Sequence, residues 1–129
     1  MSPAVRKAII VEDEALIATD LARIIETVGA GEVLTVPTVT TARKCLDRHE
    51  VELAVLDIKL PDGDVFEIAD RLLQESVPYI FVTAHERTVV PVKHRGAPFV
   101  SKPFNESRIR TAVIEAMLSA RKTRQRPTH

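Results

Sequence analysis

Leu53-Ala-Val-Leu-Asp57-Ile-Lys-Leu-Pro61-Asp-Gly63 sets an apolar run against a carboxylate, with Pro-Asp-Gly turn chemistry close behind. The run is short and rich in Val and Leu, so it reads as a buried strand and not as a helix. The turn residues stop it just past Asp57. Asp57 therefore stands at the carboxyl end of a strand and beside a loop. In open α/β sheets that edge is where ligands bind.

The same arrangement recurs on either side. Lys7 to Val11 reads as a first strand, followed at once by Glu12-Asp13-Glu14. Ile17, Leu21, Ile24, Ile25 and Val28 then recur at helical spacing, and Gly29 and Gly31 are expected to end that helix. Val33 to Val36 predicts a second strand, closed by Pro37. A helix from about Thr38 to Arg48 carries Val39, Ala42, Cys45 and Leu46 on one side, and Glu52 to Leu56 forms the third strand. Past Gly63, a third helix is expected to bury Val65, Phe66, Ala69, Leu72 and Leu73. Pro78 to Val82 predicts a fourth strand ending at Thr83, and Pro98 to Ser101 a short fifth one leading to Lys102-Pro103. The last helix carries Ile109, Val113, Ala116, Met117 and Ala120 on one face.

Between Thr83 and the fifth strand the pattern weakens. His85 to Gly96 occupies the place of a fourth helix but holds Thr88-Val-Val90 and Pro91. β-Branched residues weaken a helix slightly, and an internal proline costs roughly 3 kcal/mol or more. A short or irregular element is expected there. Five βα units in succession predict an α/β fold, a doubly wound (βα)5 domain with a parallel sheet, because parallel strands need crossovers and these are right-handed.

The chain totals agree with this. At 129 residues, one domain with a real core is the simplest reading, with the core over about 6–121 and a basic tail over 122–129 that reads as a solvated, fraying helix end. Lys plus Arg and Asp plus Glu balance at 18 each, so no global charge favours nucleic acid or an acidic membrane. The single cysteine, Cys45, reads as a small buried hydrophobe and cannot form an intrachain disulfide. No apolar run reaches membrane-spanning length, and the N-terminal basic stretch lacks a signal-peptide core. A cytoplasmic protein is expected. His49, His85, His94 and His129 have no ligand-like spacing and suggest no zinc site.

The strand ends collect chemistry. Strand one gives Glu12 and Asp13, strand three Asp57, strand four Thr83 and strand five Lys102. In a doubly wound sheet these strands can be neighbours, so the five side chains can converge. Three close carboxylates repel one another unless a divalent cation sits among them, and a hard oxygen-only site suits Mg2+. A carboxylate can act as a nucleophile that forms an aspartyl-phosphate. The Lys102 ammonium can pair with a phosphoryl oxygen, and the Thr83 hydroxyl can donate to another. Phosphoryl transfer needs little beyond positioning and electrostatics. The bland alternatives are that Asp13 caps a helix, that Asp57 and Thr83 are ordinary strand-end residues, and that Lys102 is a surface lysine.

Val11-Glu12-Asp13-Glu14, Leu56-Asp57-Ile-Lys-Leu-Pro61-Asp-Gly63, Val82-Thr83-Ala84 and Ser101-Lys102-Pro103-Phe104, in this order and at these spacings, resemble the receiver domains of two-component response regulators. The resemblance covers essentially the whole chain. It implies a flavodoxin-like fold with strand order 2-1-3-4-5. It implies that Asp57 accepts a phosphoryl group from a sensor histidine kinase or a histidine phosphotransferase. Glu12, Asp13 and Asp57 would hold Mg2+, while Thr83 and Lys102 would bind the phosphoryl group. Phe99, three residues before Lys102, would be the aromatic switch residue, and Lys59 and His85 would flank the phosphoryl group and tune its lifetime. The Lys102-Pro103 bond is often cis in such proteins.

The resemblance further implies a stand-alone module, monomeric or weakly dimeric, that signals through an unidentified output partner or relays the phosphoryl group onward. At most it would have slow autophosphatase activity, with no direct contact to nucleic acid and no membrane insertion. The shortened interval between Thr83 and Lys102 departs from the usual pattern and looks like a less common receiver subgroup. Three other readings compete. A pseudo-receiver would never be phosphorylated. A metal-dependent phosphohydrolase would want a second aspartate where Lys59 stands. A nucleotide-binding domain would want a glycine-rich phosphate loop, which no strand is followed by.

Overall fold

The computed structural model describes residues 5–125 of the chain, with side chains over 5–120. Strands β1 (Val5–Val11), β2 (Ala30–Val36), β3 (Leu53–Leu56), β4 (Tyr79–Thr83) and β5 (Phe99–Ser101) form one sheet. All its pairings are parallel and its order is β2-β1-β3-β4-β5. Helices α1 (Ala15–Thr27), α2 (Val39–Arg48), α3 (Phe66–Gln74) and α4 (Glu106–Gln125) cover it. A two-residue antiparallel ribbon, Lys59–Leu60 with Gly63–Asp64, follows β3.

β1 and β3 lie in the interior of the sheet, and residues 8–11 of β1 and all of β3 are buried on both faces, as an interior parallel strand requires. Alternation along β1 sends Ile9 and Val11 to one face and Ala8 and Ile10 to the other. The first face packs against α2 and α3 through Ala42, Leu46, Ile68 and Leu72. The second packs against α1 and α4 through Leu21, Ile25, Ile109 and Val113. The fold is therefore three layers with two cores.

Local chemistry sets the element ends. Thr38 and Thr41 form a reciprocal capping box at the start of α2, each hydroxyl accepting from the other residue's amide at 3.0 Å. Gly29, at φ 104°, turns the chain out of α1. Gly31 does not act as a terminator: β2 already begins at Ala30, because pairing with Val5 at the sheet edge starts the strand earlier than its apolar residues suggest. Leu73 is a second correction. It is 47% exposed, because α3 turns only one stripe toward the sheet and Ile68, Ala69 and Leu72 fill it.

The interval after β4 holds no α-helix. Two single 3-10 turns, Arg87–Val89 and Val92–His94, stand on either side of Pro91, as the β-branched run and the proline predict. α4 continues to Gln125, so it takes in the first part of the basic tail, and 126–129 lie outside the described residues. No helix among the described residues is long and apolar enough to cross a membrane.

Candidate functional site

The carboxyl ends of β1, β3, β4 and β5 lie side by side, and main-chain bonds continue the sheet for one residue past them. Glu12 N donates to Val36 O at 3.0 Å, Asp57 N to Val11 O at 2.9 Å, and Lys102 N to Thr83 O at 2.8 Å. These bonds fix where the next side chains start. Glu12 and Asp57 are buried, and Asp13 is exposed. One carboxylate oxygen from each of the three lies within 4.8 Å of the others.

Lys102 reaches into this group from the far side. Its Nζ stands 2.6 Å from Glu12 Oε1 and donates a hydrogen bond to Asp57 Oδ2 at 3.0 Å, with Glu14 Oε1 further out at 3.9 Å. The short contact with Glu12 is an ion pair without hydrogen-bond angles, and Glu12 Oε1 has no other donor although it is shielded from water. Glu12 Oε2 accepts from the Glu14 amide at 3.1 Å, and Asp57 Oδ1 accepts from the Ile58 amide at 2.7 Å. Burial pushes the Glu12 carboxyl above its ordinary range; the Lys102 ammonium pulls it back, and the charge on Asp57 adds to the rise. Burial alone would lower the Lys102 ammonium, but its pairing with Glu12 and Asp57 outweighs that and raises it. Lys102 is thus held as a cation facing two carboxylates. The Lys102–Pro103 peptide is cis.

Thr83 ends β4 on the strand next to β3 and is fully buried; its Oγ1 accepts from the His85 amide at 3.3 Å. Lys59 and His85 are exposed on the loops after β3 and β4. Phe99, half-buried in β5, packs on the α2 and α3 side of the sheet. The structure therefore gathers Glu12, Asp13, Asp57 and Lys102 into one cluster, with Thr83 on the adjoining strand end; Lys59 and His85 follow β3 and β4 by two residues or more, and Phe99 stands within β5.

The donor set suits a hard divalent cation. All three candidate ligands are carboxylates, Glu12 Oε1 is a buried acceptor short of a donor, and the exposed Asp13 side leaves room for water.

Three residues emerge here that the sequence reading did not single out. Glu14 lends its amide to Glu12. Asp62 binds the amides of Val39 and Thr40 at 2.8 and 3.0 Å and so ties the loop after Asp57 to α2. His94 is wholly buried below β4. Asp62 lies within the Pro-Asp-Gly turn, but its partners come from 22 and 23 residues away. No local spacing marks either contact, or the burial of His94.

Comparison with known proteins agrees with this architecture. Residues 8–114 match the model of the response regulator receiver domain. The chain is 31% identical over 125 residues to the Phyllosphere-induced regulator PhyR of Methylorubrum extorquens, covering 94% of this chain and 47% of that protein. It is 28% identical to the Sensory transduction protein LytR of Streptococcus agalactiae, covering 83% of this chain and 46% of that one. The chain thus spans about half the length of the curated relatives it matches. Among solved structures, SdrG from Sphingomonas melonis Fr1 superimposes with a TM-score of 0.74 at 30% identity, covering 92% of this chain and 99% of that one. The receiver domain of the PhyR response regulator of Erythrobacter litoralis gives 0.75 at 28%, covering 99% and 96%. Sequence match, strand order and convergent strand ends agree, and the chain belongs to the response regulator receiver domain family.

Proposed function

We propose that this receiver domain accepts a phosphoryl group on Asp57 from a phosphohistidine on a sensor kinase or histidine phosphotransferase, and signals through a protein partner or by onward transfer. The observation that carries the reading is Lys102 Nζ held between Glu12 and Asp57, with Asp13 completing a three-carboxylate cluster at the sheet edge.

In the transfer, an Asp57 oxygen forms the new P–O bond as the P–N bond of the donor histidine breaks, and the bonding pair leaves with the nitrogen. The Ile58 amide, 2.7 Å from Asp57 Oδ1, holds the carboxylate in place. Lys102 is close enough to move from the carboxylate to an arriving phosphoryl oxygen as a point charge. Thr83, next in the sheet, can supply a hydroxyl donor, since its weak bond from the His85 amide occupies only an oxygen lone pair. Glu12, Asp13 and Asp57 would hold Mg2+, the implied cofactor, which when bound would supply charge screening between carboxylate and phosphoryl group. Water attack on the acyl phosphate would return Asp57 slowly, with Lys59 and His85 at the rim setting the access of that water. Phe99, three residues before Lys102 and half-buried, would report the change toward β5 and α4.

The test is intact-protein mass after incubation with acetyl phosphate, with and without Mg2+, in wild type and Asp57→Asn. One added phosphoryl group that needs Mg2+ and is absent from the variant is expected. No adduct, together with no beryllofluoride complex, would overturn the reading in favour of a pseudo-receiver.

A further inference from the structure

His94 has no part in the site chemistry, yet it is fully buried, unusual for a residue on an irregular surface stretch. Its Nδ1 lies 2.6 Å from the Tyr79 hydroxyl, and its Nε2 lies 2.6 Å from Asp70 Oδ1. The ring stacks on Phe66, with centroids 6.3 Å apart and planes at 12°, and meets Phe81 and Tyr79 edge-on. Lys93 adds a second link to Asp70 at 2.9 Å.

The network assigns the tautomer. Asp70, held low by Lys93 and His94, is a carboxylate and can only accept. Nε2 therefore carries the proton that it donates to Asp70. The Tyr79 phenol is pushed up to about 12 by burial and by the charge of Asp70, so it keeps its proton and can donate it to Nδ1. Both ring nitrogens of this buried imidazole then have a hydrogen-bond partner.

The location gives the chain of bonds its consequence. The stretch from Ala84 to Pro98 joins Thr83 to the strand that ends before Lys102. Its main-chain bonds outside the sheet are local: Val90 N to Arg87 O, His94 N to Pro91 O, Ala97 N to His94 O. Val90 and His94 are the side chains it buries fully. Tyr79, Phe81 and Thr83 share one face of β4, so His94 rests on the two residues that precede Thr83 on that face.

We propose that the Tyr79–His94–Asp70 chain is a latch that stands in for a fourth helix: it clamps residues 84–98 to β4 and α3 and so positions Thr83 and Lys102, the site residues on either side of that stretch.

Hydrogen exchange on the full chain reads the latch directly, because the amides of Val90, His94 and Ala97 are bonded within the stretch. His94→Leu keeps an apolar filler and removes both polar links. Those three amides are expected to exchange at least about tenfold faster, with Ile9 and Val55 in the central strands unchanged. Tyr79→Phe keeps the ring, removes one link and will fold if the leucine variant does not; an acceleration of roughly 3- to 10-fold is expected. The amide chemical shifts of Thr83 and Lys102 should move in both variants, and those of Ala8 and Leu53 should not. Wild-type protection in Tyr79→Phe, or acceleration spread evenly over stretch and central strands, would overturn the latch. Faster exchange with Thr83 and Lys102 shifts unmoved would overturn its positioning role.

Under the phosphoacceptor reading, both variants should also label severalfold more slowly with acetyl phosphate and Mg2+. A wild type that takes no phosphoryl group counts against that reading alone, and exchange and shifts still decide the latch.

Discussion

Lys102 stands within 3.0 Å of carboxylates from two different strands, and the charge balance of the site turns on that one ammonium. Removing it leaves Glu12, Asp13 and Asp57 facing one another. Breaking a fully buried pair costs several kcal/mol, but this one opens to solvent on the Asp13 side, so Lys102→Met should cost about 1–3 kcal/mol at pH 7 in urea unfolding. The pH dependence follows from the two raised groups. Lys102, raised above 10.5, contributes stability that is complete below that value and is lost as pH rises through its folded pKa. Glu12, raised above 4.5, weighs against the fold while ionised, and that penalty is relieved as pH falls through its folded pKa toward 4.5. The gap between wild type and Lys102→Met should therefore narrow over that acid window. A gap that widens there would contradict the charge assignment. The same variant should bind Mg2+ about tenfold more tightly by calorimetry, since a competing cation is gone, whereas Asp13→Ala should bind it at least about tenfold more weakly.

At the scale of elements, the start of α2 shows how the loop after Asp57 is held. A helix leaves its first amides without partners. Here Asp62 takes those of Val39 and Thr40, and the Thr38 hydroxyl takes that of Thr41. Thr38→Ala should cost about 1 kcal/mol by urea unfolding. Asp62 is held below 3.8 by the amides of Thr40 and Val39, so its contribution is present above that value and lost as pH falls through the lower, folded pKa. Asp62→Ala should lower Tm at pH 7, and the difference from wild type should shrink below pH 3.8. A difference that stays constant with pH would mean the carboxylate charge is not what anchors the loop.

For the whole molecule, the central sheet separates two cores that share its strands. Leu21 on α1 and Leu72 on α3 are each almost wholly buried, on opposite faces. Each alanine substitution should cost about 2–5 kcal/mol, and the double variant should cost nearly the sum, since no side chain is shared across the sheet. Strong non-additivity in denaturant unfolding would show that the two layers relax together.

Much of this was legible along the chain. Strands β1, β3 and β4 are apolar runs of strand length, and a central parallel strand must be apolar on both faces, so composition alone marks them. Glu12, Asp13, Asp57, Thr83 and Lys102 were visible because each follows such a run directly, and a doubly wound sheet brings those ends together. The irregular stretch before β5 was legible because Pro91 removes an amide and fixes φ whatever surrounds it. The tertiary structure alone decided what depends on distant partners. Leu73 is exposed because neighbouring residues already fill the stripe that α3 turns to the sheet. Asp62 serves α2 because the turn after Asp57 folds back over that helix. His94 is buried because Tyr79 and Asp70, 15 and 24 residues away, supply the donor and the acceptor that an interior imidazole requires. Periodicity and strand-end chemistry are written locally, whereas the satisfaction of a buried polar group is settled only when the chain has closed on itself.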